Sequence, residues 1–220
     1  MTRRLQLALL LLAAALAGAE TVDRIVVVVN KGIILASQWD QAVRFEAFAE
    51  GTDLRNLTAA AREQTLDRLI DQELLEQEMA QSTYKNASAE EIAAKVAELR
   101  RQLAPDASDA QWHEQLARYG LDEQDVRERV AVQLDELRFI DLRFRPTIHI
   151  DSRNVTSYYR NTLIPQLERR GEQPPSLADA RPQIEEILVQ QRIDDLLSAY
   201  LKNLRAQARI QRMDEAKEPR

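Results

Sequence analysis

A short apolar run near the start of a strongly charged chain is the feature that most constrains the fold. The stretch VDRIVVVVNKGIIL, residues 22–35, holds four consecutive valines, then Asn30-Lys31-Gly32, then a second apolar run. Charged residues make up 30% of the chain, so this run needs buried neighbours to be stable in water. β-Branched residues on both sides of a glycine-containing turn predict two short strands, 22–30 and 33–35.

Residues 1–19 have the three-part pattern of a secretory signal peptide. Arg3 and Arg4 precede the apolar run Leu5–Leu16, and small residues follow before Glu20. We expect cleavage before Glu20 and therefore a location outside the cytosol. An uncleaved membrane anchor is the alternative, but the apolar run is shorter than the ~20 residues that span a bilayer, and no later segment approaches that length.

The composition excludes several classes of function. The chain has no cysteine, which removes disulfides, thiolate metal sites and cysteine nucleophiles. After residue 19 there are 28 basic and 36 acidic residues, a net charge of −8. Nucleic acids and anionic membranes select basic patches, so we expect neither as a partner.

Most of the chain after residue 36 has helical periodicity, and glycine is scarce, with five residues in all. Helix start and stop signals, including N-caps at Ser37 and Thr58, predict helices over 37–50, 58–81, 88–103, 108–119, 122–144, 151–162 and 179–207. We expect a break at Pro165 before an extension to residue 168, and we expect Pro182 in the first turn of the last helix. Residues 147–150 and 208–213 read as short extended segments, and 169–176 as a linker. The predicted fold is therefore mainly α.

The helix predicted over 122–144 is apolar on two opposite sides. One stripe includes Val126 and Val130, and the other contains Val132, Phe139 and Leu142. Two interpretations stay open: the helix is packed between neighbours on both sides, or the second stripe is exposed for a partner to cover.

The sequence offers little chemistry. His113 and His149 are the two histidines; they are far apart, have no metal-ligand spacing and are predicted on the surface. Glycine-rich phosphate loops, nucleophile elbows and zinc-protease motifs are missing. Acidic pairs such as Glu90-Glu91 lie on predicted helices, where carboxylates are ordinarily solvated. We therefore predict no catalytic residue, no metal site and no cofactor.

The opening stretch resembles the start of the SurA family of periplasmic chaperones. The positions that match the family's pattern are Val22, Asp23, Val28, Val29, Asn30, Ile34, Leu35 and Ser37. Later stretches that look like the family's helices cover residues 66–79, 100–140, 148–161 and 181–211. One departure is Ser152-Arg153-Asn154, which replaces acidic residues usual in the family.

The resemblance implies a domain organisation. Residues 20–162 would form the N-terminal chaperone region, and 178–213 the helix and strand that complete it, with a tail at 214–220. Family members with isomerase activity carry a parvulin domain where this chain has only residues 163–177, so the resemblance implies no prolyl isomerase. It also implies that residues 25–29 pair with residues 208–212, which joins the two ends of a multi-helix core through short β segments.

The function that the resemblance implies is an ATP-independent holdase for unfolded outer-membrane or secreted proteins. The candidate client contacts are aromatic residues with large contact area, a type that is more often core than binding site: Trp39, Phe45, Phe48, Trp112 and Phe139. Alternatives are a dedicated assembly partner of one envelope protein and a reduced prolyl isomerase. Oligomeric state stays open, a homo-oligomer included.

Overall fold

The computed structural model describes residues 23–213, so the predictions for residues 1–19 and 214–220 lie outside the described residues. In the described range the strands are β1 (Ile25–Val29), β2 (Gly32–Leu35) and β3 (Ile210–Arg212). The α-helices are α1 (Ala36–Glu50), α2 (Ala59–Met79), α3 (Ala89–Leu103), α4 (Asp109–Arg118), α5 (Glu123–Phe144), α6 (Ser152–Tyr158), α7 (Ile164–Arg169) and α8 (Leu177–Gln207). The predicted mainly helical fold is confirmed.

The three strands form one antiparallel sheet in the order β2-β1-β3. In the central strand, Val28 lies opposite Ile33 on one side and Gln211 on the other. Beyond the paired residues, the Asn30 amide donates a hydrogen bond to the Arg209 carbonyl, 2.8 Å away. The predicted pairing of the N-terminal and C-terminal segments is therefore confirmed.

The inner face of the sheet forms the first core cluster. Val27 and Val29 are fully buried and pack, together with Ile34, against α2 and α1. The α2 and α1 residues in this cluster are Leu66, Leu69, Ile70, Leu74 and Ala42. Each buried valine or isoleucine contributes ~1.5–3 kcal/mol, so the valine run is the sheet's main stabilising contribution to the core.

Polar contacts reinforce the attachment of the C-terminal end to α2. The Arg205 Nε lies 2.5 Å from the Asp71 carboxylate, and Arg212 lies 2.9 Å from Asp67. One helical turn earlier on α8, the Tyr200 hydroxyl donates to the Glu78 carboxylate at 2.5 Å. These side chains are partly exposed, so each ion pair contributes little alone, but together they fix how α8 lies along α2.

The start of α1 corrects one prediction. The helix begins at Ala36 with Leu35 as its N-cap residue, so Ser37 lies inside the first turn and is not the cap. The reason is that β2 runs directly into α1, and the Asp23 carboxylate supplies the cap from a distance. It accepts hydrogen bonds from the Ser37 amide and hydroxyl. These bonds, above all that of the hydroxyl, lower the pKa of Asp23.

Two proline predictions are also corrected. Pro165 does not break the helix, because a π-helical segment, Tyr159–Leu163, precedes it and joins α6 to α7 without interruption. Pro182 lies beyond the first turn of α8, since Ser176 caps the helix and it begins at Leu177, earlier than predicted.

The connecting segments differ from the prediction as well. Residues 147–150 form no strand: a 3-10 turn, Arg145–Thr147, leads into irregular backbone. Of the predicted connector 163–177, Ile164–Arg169 is helical and only residues 170–176 lie between helices. Val155, Ala180 and Ile184 are buried together, so α6 folds back onto the first half of α8.

Replacement of Val29 by alanine tests the role of the sheet. We expect Val29→Ala to lower the free energy of unfolding by about 2 kcal/mol, because the lost methyl groups leave a void at a fully buried site. Val28→Ala is the matched control. It removes the same methyl groups from the adjacent residue, which is only half-buried and lies on the opposite face of the sheet. Urea titration measures both, and an equal loss for the two variants would contradict this account of the sheet.

Candidate functional site

A groove between β2, α1, α2 and α5 combines apolar and charged residues around a cavity of about 250 Å³. We call it the central groove. Its apolar floor consists of Ile33, Ile34, Phe45, Leu69, Leu121 and Val132. Because Ile33 is 46% exposed and Val132 is half-buried, part of this floor is open to a ligand.

The rim of the central groove is acidic. Four carboxylates line it, two from each of the helices that form its walls: Glu73 and Glu76 from α2, Asp125 and Glu128 from α5. A second recess, between the end of α2 and α5, also includes Glu76 and Val132. The two recesses therefore adjoin along the seam between α2 and α5.

Glu73 illustrates how the rim is held. Its carboxylate accepts a hydrogen bond from the Gln77 amide at 2.6 Å, and the same amide donates to the Val29 carbonyl at 3.0 Å. Burial is the main cause that raises the pKa of Glu73 above its ordinary value. The side chain lies so close to β2 that any Cβ at Gly32 would overlap it, so glycine there permits this approach.

Arg129 is the cation of the groove, and it is not paired with the rim. Its guanidinium donates to the Gln72 side chain at 2.6 Å. Its Nε is buried and has no hydrogen-bond partner among the described residues. Buried donors of this kind are uncommon, because an unsatisfied polar group costs ~1–3 kcal/mol.

Glu136 lies two helical turns from Arg129 on the same face of α5. One of its carboxylate oxygens is buried without a hydrogen-bond partner among the described residues. Burial raises the pKa of Glu136 to about 7; the positive charge of Arg129 opposes the shift and the negative charge of Glu76 adds to it. This carboxyl therefore changes charge near neutral pH.

The structure places four of the five predicted client contacts in the core. Phe45, Phe48, Trp112 and Phe139 are each at most 7% exposed. The ring of Phe48 packs edge-on against that of Trp112, with 5.5 Å between centroids. A client could contact these rings only if the clusters opened, apart from the edge of Phe45, which reaches the groove floor.

Trp39 is the fifth of these residues, and it is half-buried. Its indole Nε1 donates to the Arg62 carbonyl at 2.8 Å, and the Arg62 guanidinium lies 5.2 Å from the ring centroid. These contacts fix Trp39 between α1 and α2, where it packs against the first core cluster.

Sequence reasoning did not single out the acidic rim or Arg129. The signal that pointed to the groove was the second apolar stripe of α5, which the structure divides among three environments. Val132 lines the groove, Phe139 is buried against α2 and α8, and Leu142 is 58% exposed. Packing between neighbours is thus confirmed for Phe139, and Leu142 is exposed.

Neither histidine belongs to the groove. His113 and His149 are both exposed, as predicted, and His113 lies 3.3 Å from Glu123. Within residues 23–213, no group of three or more histidine, aspartate or glutamate residues is placed to hold a metal ion.

Comparison with known proteins adds no assignment: no protein-family model matches the chain, and no curated protein matches it. In the part of the chain that the structure describes, no helix has the length and apolar character needed to cross a membrane.

Replacement of Glu136 tests whether burial raises the pKa of this carboxyl. Its pKa in the folded protein is about 7, against an ordinary value of 4.5. The folded protein therefore binds this proton more tightly than the unfolded chain does. The stabilisation that protonated Glu136 contributes is fully present below pH 4.5 and is lost as the pH rises through 7. We expect Glu136→Gln to raise the free energy of unfolding by on the order of 2 kcal/mol at about pH 8.

The same substitution should have little effect at about pH 4.5, where both states carry a protonated or partly protonated carboxyl. Urea titration over this pH range measures the difference. Glu114→Gln, at an exposed position on α4, is the control and should show no such pH dependence. A Glu136→Gln variant whose stability followed the wild-type pH profile would contradict the assignment.

Proposed function

We propose that the chain is an ATP-independent periplasmic chaperone of the SurA type that binds unfolded envelope proteins in its central groove. The observation that carries the proposal is the groove itself, which combines an apolar floor with a charged rim. The floor residues Ile33 and Val132 keep accessible apolar surface, which an unfolded polypeptide can bury without a fixed hydrogen-bond pattern.

Two sequence features support the location and the class. The signal-peptide pattern of residues 1–19 directs the chain out of the cytosol. The resemblance to the SurA family covers most of the chain after that segment, and residues 163–177 stand where isomerase-active members carry a parvulin domain. A holdase without isomerase activity is consistent with both features.

The distribution of charge suits a holdase. The helices that form the groove carry acidic and basic residues on their outer faces, for example the Arg127–Glu123 pair on α5. Such a surface keeps the protein soluble while apolar side chains stay accessible in the groove. Binding through apolar burial alone is adaptable, because it does not depend on the client's sequence in detail.

Exposed leucines on α5 favour a second candidate function. Leu137 and Leu142 are 59% and 58% exposed, outside the groove. They suit a fixed interface with one envelope protein better than transient client binding. A dedicated assembly partner is therefore the alternative proposal.

A holdase assay with two matched variants separates the candidates. A urea-denatured outer-membrane β-barrel protein is diluted with the chaperone, and aggregation is followed by light scattering. Val132→Asp places a charge on the groove floor, so we expect roughly three- to tenfold more protein to be needed for equal suppression. Leu142→Asp makes a similar change on the same helix outside the groove and should retain wild-type suppression.

Gln41→Trp is a second groove variant, since its exposed position on the rim allows the ring to fill the cavity without a change in the core. Circular dichroism confirms that each variant is folded. Aggregation that proceeds as in buffer alone, with wild-type protein in excess, would refute the holdase. Two results together would favour the assembly function. Only Leu142→Asp would lose suppression of aggregation, and the wild-type protein would recover one stoichiometric partner from periplasm.

A further inference from the structure

We infer that the central groove selects polypeptide segments in which an apolar side chain is flanked by lysine or arginine. The inference rests on the proposed function and specifies the class of client that the groove takes. It follows from the charges on the rim, from their lack of cationic partners and from their position above an apolar floor.

All four rim carboxylates lack an ion pair, whereas just over half of the other carboxylates in the described residues have one. On other surfaces, carboxylates are commonly paired with arginine, as in Asp71 with Arg205 and Glu186 with Arg145. Within the described residues, the four rim carboxylates, Glu73, Glu76, Asp125 and Glu128, take part in no ion pair. The groove is therefore a concave surface with uncompensated negative charge.

Neutral donors satisfy these carboxylates only in part. Glu76 accepts from the Gln72 amide at 2.9 Å, and Glu128 accepts from the Gln124 amide at 2.8 Å. Asp125 accepts from the Gln41 amide. Amide donors stabilise a carboxylate without cancelling its charge, so a cation that enters the groove still gains Coulomb energy.

The groove's own arginine does not cancel the rim either. Arg129 donates to a neutral glutamine, Gln72, and one cation stands against four anions. The partly buried Glu73, whose pKa burial raises, gains most from a nearby cation, because charge interactions are stronger where water is partly excluded.

The arrangement also matches the shape of a basic and apolar segment. The acidic residues come from α2 and α5, on opposite walls, while Phe45, Leu69 and Val132 form the floor between them. An apolar side chain that enters the cavity therefore carries its flanking residues past carboxylates on either side. Lysine or arginine at those positions gains attraction, and glutamate there is repelled.

Two synthetic peptides test the inference. They share the same apolar residues and differ only in lysine or glutamate at the flanking positions, and binding to the full chain is measured by fluorescence anisotropy. We expect roughly tenfold tighter binding of the lysine peptide at low ionic strength, with the difference shrinking as salt is added. Equal affinities for the two peptides would overturn the inference.

Neutralisation of the rim provides the matched control. The double variant Glu73→Gln/Glu128→Gln should reduce the preference for lysine to about twofold. Glu90→Gln/Glu114→Gln changes the net charge equally at exposed sites on α3 and α4 and should keep the wild-type preference. A preference that survives the rim variant unchanged would overturn the inference.

The lack of cysteine allows the bound peptide to be located. Gln41→Cys on the groove rim and Ser198→Cys on the exposed face of α8 each accept a photo-crosslinker. Crosslinks to the lysine peptide from position 41 and not from position 198 support the inference. Crosslinks only from position 198, or from position 41 to a second copy of this chain, would refute it.

The outcomes separate this inference from the proposed function. If wild-type protein suppresses client aggregation but binds the lysine and glutamate peptides equally, the charge selectivity is wrong and the chaperone stands. If it neither suppresses aggregation nor binds either peptide, the chaperone function is wrong, and the selectivity of the groove is refuted with it.

Discussion

The antiparallel pairing of β1 with β3 is the contact on which the rest of the structure depends. β1 occupies the middle of the sheet, so its inner valines face α2 while its two edges hold segments from opposite ends of the chain. The pairing brings α8 alongside α2, where Arg205 and Tyr200 bind acidic side chains. α8 in turn covers Phe139 on α5. The position of α5, one wall of the groove, thus depends through α8 on the pairing of β1 with β3.

The central groove follows from how α2 divides its surface among its neighbours. One side of α2, including Leu66 and Ile70, is covered by the sheet and α1. A second side, with Leu75 and Met79, is covered by α5 and α8. Between these two packed sides the helix presents Glu73 and Glu76 toward α5. Carboxylates there keep α2 and α5 from closing fully, because a buried unpaired charge is costly.

Local signals made much of the fold predictable, and distant contacts account for the rest. The helix starts predicted at residues 88, 108 and 122 are confirmed, because capping boxes at Ser88, Ser108 and Asp122 each join residues three apart in sequence. The cap of α1 was predicted wrongly at Ser37. The capping carboxylate belongs to Asp23, which β1 and β2 separate from the helix in sequence, so no local pattern reveals it. The pairing of the two chain ends came only from the family resemblance, since no local pattern connects residues so far apart.

The candidate site was less predictable because it depends on which apolar residues stay uncovered. Aromatic content directed attention to Phe48 and Trp112, yet large rings are also the most effective core residues, and these two pack on each other. The groove instead uses aliphatic residues and glutamates whose spacing on α2 and α5 is ordinary for exposed helices. Their convergence is a property of two helices together, which periodicity in one helix does not reveal.

The separation of α2 and α5 leaves the groove floor accessible, and α5 carries two unusual polar groups on the same side. Arg129 and Glu136 each leave a buried atom without a partner among the described residues, a cost that closer packing with apolar side chains would remove. Substitutions that remove such unsatisfied groups usually stabilise a protein, whereas functional surfaces often retain them at the expense of stability. The fully buried valines of β1 offset this cost in the core cluster that adjoins the groove floor at Ile34 and Leu69. The fold therefore keeps part of the apolar groove floor accessible, as the polypeptide-binding function that we propose requires.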